Sequence, residues 1–269
     1  MSDPHPPAQP QVELEDRIHI GDNRELLARM PDACVDLVLT DPPYKDYQSN
    51  RPRAREKVKK IDAQCFDIPE FLASMERVMR DGAHFYCWCD HLSFPDLVLA
   101  LRERKDLVPR GSAHLVYKNC LVWVKNNHGS GDLRSNWAPQ HEFVLFASKG
   151  RARSREAPRS PNVFYNRDDE DPSRIRFVKR VSNYAFEHGT SKPVELLERM
   201  ILMSSRPGEL VFDPFAGSCS TGEAALRTGR RYLLAELDED HGRRGSERLE
   251  LVRQELAPPH PAPVQHTTE

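Results

Sequence analysis

Residues 35–44 read VDLVLTDPPY, and the fold turns on how this stretch divides. VDLVLT is short, rich in β-branched residues and nearly uncharged, the pattern of a strand buried on both faces of a parallel sheet. Asp41 therefore stands at a strand's carboxyl end. Pro42 and Pro43 fix their own φ and remove two backbone donors, so the turn is stiff and its carbonyl oxygens stay available as acceptors. Such a corner, closed by the ring of Tyr44, accepts hydrogen bonds rather than donating them.

Working outward, ELVFD at 209–213, the loop PFAGSCSTG, a helix through EAALRTG and the strand RYLLAELD at 231–238 repeat a strand, helix, strand series. That series is typical of a parallel α/β sheet. Further strands are expected at Arg17–Ile20, HFYCWC (84–89), LVWVK (121–125) and EFVLFAS (142–148), with helices at Arg24–Met30, Pro69–Met79, Phe94–Arg104 and Pro193–Ser204. The last has proline at its start and apolar spacing along one face. NNHGSGDLRSNWAPQH (126–141) reads as a long functional loop, and 150–187, polar and Arg-rich, as an insertion or recognition region rather than scaffold. In HFYCWCDH, alternation puts Phe85, Cys87 and Cys89 on one face, whereas a metal site would need ligands on both. A core strand is expected there, and no metal.

At 269 residues, 38% hydrophobic and 30% charged, the chain has the composition of a soluble globular protein. The expectation is one domain over 17–256 between proline-rich, disordered tails at 1–16 and 257–269. No apolar run approaches a membrane span and the first residues lack a signal-peptide pattern, which points to the cytoplasm. The six cysteines include no CxxC pair and are read as free thiols. A net charge of −2 argues against nonspecific polyanion binding by the whole surface. Charge is nevertheless uneven: Lys45, Arg51, Arg53, Arg55, Lys57, Lys59 and Lys60 crowd a loop at 45–65, and Lys149, Arg151, Arg153, Arg155 and Arg159 form a second cluster. Alone, either cluster reads as a solvated loop.

The loop DPFAGSCSTGEAA is neither of two phosphate-binding patterns. A P-loop would place lysine after the second glycine, but Glu223 follows Gly222; the dinucleotide fingerprint needs glycine where Cys219 stands. What remains is Asp213 ending a strand, a tight turn at Gly217, and Glu236 ending the next strand, placed to accept hydrogen bonds from a ribose. The ligand expected is an adenosyl compound without phosphate. Cys219 is expected in an ordinary backbone region, because φ > 0 would strain it.

DPPY, DPFAGSCSTG and HGTSKP (188–193), in that order, resemble the amino-group DNA methyltransferases that use S-adenosylmethionine, and the order resembles the permuted β group. The likeness covers about residues 17–250. It implies an α/β, Rossmann-like methyltransferase fold with a mostly parallel, doubly wound sheet, circularly permuted motif order and an inserted recognition region at about 126–187. It further implies that Asp41 and the Pro42 carbonyl accept from an exocyclic amino group, with Pro43 and Tyr44 completing the catalytic corner and Tyr44 stacking on the base. Asp22, His188, Thr190, Lys192, Pro193, Asp213, Phe215, Ala216, Gly217, Ser218 and Glu236 would form the cofactor pocket. Lys45, Arg51, Arg53, Arg55, Lys57, Arg134, Arg151 and Arg153 would contact double-stranded DNA, which turns the basic clusters from solvated loops into nucleic-acid contacts. DPPY is the adenine-type variant, so N6 methylation of a flipped adenine is expected ahead of cytosine N4 methylation. A catalytically silent nucleic-acid-binding subunit, and methylation of RNA or protein glutamine, are the other readings. A restriction endonuclease as functional partner and a homodimer are compatible with the resemblance.

Overall fold

The computed structural model describes residues 14–43, 66–125, 135, 137–154, 156–165 and 191–257. Most of both tails, all of the basic loop at 45–65 and much of the expected recognition region lie outside them. The described chain runs β1 (Arg17–Ile20), α1 (Asn23–Arg29), β2 (Val35–Thr40), α2 (Ile68–Val78), β3 (Met79–Cys89), α3 (Ser93–Leu107), β4 (Leu115–Val124), β5 (His141–Lys149), β6 (Val163–Tyr165), α4 (Val194–Ser204), β7 (Leu210–Asp213), α5 (Ser220–Arg227), β8 (Arg231–Glu236) and α6 (Glu239–Leu256). The strands form one sheet in the order β1-β8-β7-β2-β3-β5-β4-β6. Pairings from β1 to β3 are parallel; β5 runs antiparallel to both β3 and β4, and β6 is parallel to β4.

Every residue of β2 is buried, as expected for a strand sandwiched between helix layers. Strand alternation sorts the core. Val38, Phe85, Cys87, Cys89, Phe212 and Leu233 face α1, α2 and α3, while Leu37, Leu39, Tyr86, Trp88, Val211 and Leu234 face α4, α5 and α6. Helices thus cover both faces, and the expected core strand around Cys87 and Cys89 is in place, both thiols buried and free.

Two elements escaped the sequence pattern. α6 is an 18-residue helix so polar that only Gly242, Gly245, Arg248, Leu249 and Val252 are buried. β6 lies inside 150–187, a region expected to hold no scaffold, yet it pairs with β4 through Val122↔Val163 and Trp123↔Phe164. Three residues are too few for a periodic signal; neighbouring strand edge and the burial of Phe164 make the strand.

Candidate active site

From β7 the chain passes through α5 to β8 on one side, and from β2 through α2 to β3 on the other. β7 and β2 are neighbours, in register at Leu37↔Val211 and Val38↔Phe212. Their junction is the point where the winding reverses, and in open parallel sheets ligands bind there, outside the strands' carboxyl ends. Asp41 directly follows β2, Asp213 ends β7 and Glu236 ends β8, so the three acidic corners read from sequence lie along one edge of the sheet.

The loop after β7 is pinned by its own carboxylate. Asp213 accepts from the Phe215 amide at 3.0 Å and the Thr221 hydroxyl at 2.7 Å. Burial pushes its pKa up to about 6 despite those donors. Asp213 is buried, so it shapes the turn and does not face a ligand. Phe215 packs edge-on to Phe66 at 5.7 Å between ring centroids, and Ala216 is buried against the opposite helix layer. Gly217 has φ +52°, and no heavy atom beyond its chain neighbours comes within 4 Å of where a Cβ would stand. Its amide is held from below by Glu236 Oε2 at 2.8 Å, while Glu236 Oε1 accepts from the Asp238 amide at 2.9 Å. An ionised carboxylate offers about four lone-pair positions, so Glu236 keeps acceptor capacity for a diol.

Cys219 departs from expectation. It adopts φ 58°, ψ 27°, the left-handed region, as N-cap of α5, and is fully buried. The turn geometry demands that conformation, and a cysteine held there costs about 1–2 kcal/mol. Space for its thiol comes from α6: a Cβ added at Gly245 would collide with Cys219 Sγ.

The corner after β1 closes the far side. Gly21 N–H donates to the Glu236 carbonyl at 2.8 Å, and the Asn23 side-chain amide to the Pro214 carbonyl at 2.9 Å. Asp22 caps α1, accepting from the Arg24 amide at 2.9 Å and from its guanidinium at 2.6 Å; this pairing with Arg24 lowers its pKa. Asp22, expected in the cofactor pocket, thus stands next to Asn23, which makes the contact with the β7 loop.

Residues 191–193 tie the two main corners together. Ser191 and Ser218 hydroxyls share a hydrogen bond at 2.9 Å, whereas the next residue, Lys192, places its ammonium 2.8 Å from Asp41 Oδ2. Pro193, φ −65°, caps α4 and directs the chain away from both. Lys192, expected in the cofactor pocket, places its ammonium at the DPP corner, where the Asp41 and Glu142 carboxylates enclose it. Glu142 Oε2 lies 2.9 Å from Lys192 and Glu142 Oε1 lies 2.5 Å from Lys125. The Trp88 ring centroid is 4.9 Å from the Lys192 ammonium. Burial opposes the charge on Lys192, but Asp41 and Glu142 hold its pKa above the ordinary lysine value. Burial likewise opposes ionisation of Glu142, and Lys192 and Lys125 overcome it, bringing its pKa to about 2. No sequence signal marked Glu142: it lies in a strand-like run far from any motif.

Tyr44, His188, Thr190, Lys45, Arg51, Arg53, Arg55, Lys57 and Arg134 fall outside the described residues. Arg151 and Arg153, expected to contact DNA, lie at the edge of the sheet opposite Asp41. β5 runs antiparallel and returns the chain to the amino ends of β2 and β7, where Arg153 pairs with Glu209 at 2.8 Å and donates to the Asp36 carbonyl. Arg151 leaves the strand at the same end, its carbonyl close to Gly82 at the start of β3. Among the described residues no group of His, Cys, Asp or Glu could hold a metal ion, and no helix is long and apolar enough to cross a membrane.

A mostly parallel sheet with an acceptor-rich crevice at its winding reversal defines a Rossmann-like nucleotide-type site. Residues 35–244 match the DNA methylase family model for N6 and N4 amino methylation, and the chain belongs to that family. It is 29% identical over 250 residues to the DNA adenine methyltransferase YhdJ of Escherichia coli (strain K12), covering 86% of this chain and 82% of that protein. To the type II methyltransferase M2.DpnII of Streptococcus pneumoniae it is 25% identical over 253 residues, covering 86% and 88%. The fold is shared with a crystal structure of M1.HpyAVI in complex with SAM, at TM-score 0.61 and 22% identity over 87% of this chain and 99% of that one. It is shared also with the cytosine-N4-specific PvuII DNA methyltransferase, at TM-score 0.64 and 18% identity over 89% and 90%.

Proposed function

We propose that this chain methylates the exocyclic N6 amino group of adenine in a specific sequence of double-stranded DNA, with S-adenosylmethionine as donor. The observation that carries the reading is the double bridge at 191–192, where adjacent residues touch the glycine loop through Ser218 and the proline corner through Asp41. Two motifs some 170 residues apart in the chain therefore open into one crevice. The residues fit the cofactor: Gly217 leaves open space where a side chain would stand, and the Glu236 carboxylate that holds its amide keeps capacity to accept from a ribose diol. When bound, S-adenosylmethionine supplies an electrophilic methyl carbon on a sulfonium.

An aromatic amine is a poor nucleophile because its lone pair is delocalised into the ring. Asp41 and the Pro42 carbonyl accept its two hydrogens, which localises the pair on nitrogen and orients it; Pro43 keeps that turn stiff. Alignment of this kind contributes about 7–11 kcal/mol to such reactions. Tyr44 provides a stacking face for a base extruded from the duplex, which costs a few kcal/mol. Asp22, His188, Thr190, Pro193 and the Asp213–Ser218 turn complete the cofactor pocket, with Asp213 and Phe215 acting on the turn from within.

Described residues on either side of 44–65, 126–134 and 166–190 lie along the carboxyl edge, which supports target recognition by 126–187 and phosphate contacts by the basic loop. Adenine is supported by DPPY and by the name of one relative; the cytosine-N4 neighbour keeps the alternative in the test. The type II name of another relative makes a cognate endonuclease a partner to seek in the cytoplasm.

Incubation of DNA with labelled cofactor and nucleoside analysis is expected to yield N6-methyladenine. Methylcytosine as sole product overturns the base assignment, and no cofactor binding by calorimetry favours a silent subunit. Asp41→Ala is expected to abolish transfer while the cofactor still binds.

A further inference from the structure

We propose that Glu142 and Lys125 are positioning residues for methyl transfer: they hold Lys192 against Asp41 and tie the accepting carboxylate to the base of the 126–140 segment. The inference rests on the functional reading above.

The four groups alternate in charge. Asp41 Oδ2 lies 2.8 Å from Lys192, Glu142 takes Lys192 on one oxygen at 2.9 Å, and it takes Lys125 on the other at 2.5 Å. Lys192 is only 7% exposed, so its ammonium depends on these partners in place of water. A lysine stem has many rotamers, and one carboxylate could hold the ammonium in several places. Two carboxylates from different strands leave it one place, beside Asp41 Oδ2.

Strand direction puts this chain of charges at the active edge. The parallel strands bring Asp41 there by its carboxyl end. Because β5 is antiparallel, its amino end arrives at the same edge carrying Glu142, opposite Trp123 in the β4 register. Lys125 follows β4, with its ammonium 5.4 Å from the Trp123 ring centroid. One residue further the backbone closes: the Lys125 amide donates to the Gln140 carbonyl at 2.7 Å, and the Gln140 side chain returns a bond to the Lys125 carbonyl at 3.0 Å. The segment between these residues therefore leaves from a clamp whose two sides carry Lys125 and Glu142. Any displacement of the clamp moves Glu142, then Lys192, then the carboxylate that addresses the amine.

Removing only the charge of Glu142 takes away the carboxylate between the Lys192 and Lys125 ammonium groups and leaves Asp41 on the other side of Lys192. Glu142→Gln is expected to lower the single-turnover methylation rate about 10-fold or more, as misplacement by a fraction of an ångström does. The dissociation constants for S-adenosylmethionine and for DNA should stay within about twofold of wild type. Lys125→Met, which interrupts the chain one link further out, should act in the same sense. Lys192→Arg should recover part of what Lys192→Met loses, and Glu142→Gln added to Lys192→Met should cost nothing more, since Glu142 acts through Lys192. A readout independent of activity is the side-chain ammonium resonance of Lys192 in lysine-labelled protein, assigned with Lys192→Met. It should be protected from exchange in wild type and lost in Glu142→Gln. The proposal is overturned if Glu142→Gln methylates at the wild-type rate, if its loss is matched by weaker cofactor binding, or if the two substitutions add. Wild-type protein that methylates no DNA fails the functional reading and this inference with it, an outcome distinct from equal methylation by wild type and variant.

Discussion

The glycine loop after β7 contains a steric compensation that can be tested without any ligand. Cys219 occupies a left-handed position and is fully buried, and Gly245 of α6 gives room for its thiol. In Gly245→Ala the new methyl would collide with Sγ and stand only 3.1 Å from the Cys219 Cβ, which rotation about χ1 cannot relieve. Overpacking of this kind costs about 1–3 kcal/mol. Alanine also raises the helix propensity of an interior position by about 1 kcal/mol, so the net loss is roughly 0–2 kcal/mol. Cys219→Gly removes both the thiol and the left-handed cost. In that background Gly245→Ala meets no clash, and only the helix gain remains. The same substitution should therefore destabilise the parent and stabilise the Cys219→Gly variant by about 1 kcal/mol, a coupling of about 1–3 kcal/mol. Urea denaturation of the four proteins measures it. Additive effects, with Gly245→Ala having one sign in both backgrounds, would show that the two residues do not compensate and that the turn accommodates its cysteine by other means.

Other expectations concern the scaffold and its charges. Glu76 is buried in α2 and takes the Arg104 guanidinium and the Leu115 amide, at 3.1 Å and 2.9 Å, on Oε1; Arg104→Met leaves that carboxylate underpaired and should cost about 3–5 kcal/mol in chemical denaturation. Burial lowers the pKa of His84 from 6.5 to about 4, so the unfolded chain binds a proton that the folded one refuses. Relative to His84→Asn, wild type should lose up to about 3 kcal/mol as pH falls from 6.5 to 4; a pH-independent difference between the two refutes this. Neutralising Arg53 and Arg55 should reduce the salt slope of DNA binding by about 0.9 per lost phosphate contact, and an unchanged slope would return that loop to simple solvation.

The pattern of residues by itself determined the parallel strands, the helices with clear apolar faces and the identity of the corners. A buried strand needs an apolar run, and a sharp turn at its end needs proline or glycine, so VDLVLTDPP and ELVFDPFAG announce both. The family followed from the order of its motifs. Only tertiary structure revealed α6, whose polar sequence becomes helical on a narrow buried stripe, and β6, which owes its conformation to the edge of β4. Arg153 looks basic and available in sequence, yet antiparallel β5 carries it to the edge opposite Asp41. Lys192 belongs to a cofactor motif by position in the chain, but its ammonium settles between Asp41 and Glu142. Glu142 carried no local signal. A side chain's role as counter-ion depends on which charges the strands bring within about 3 Å, and that proximity is set by strand order and direction, which no window of sequence contains.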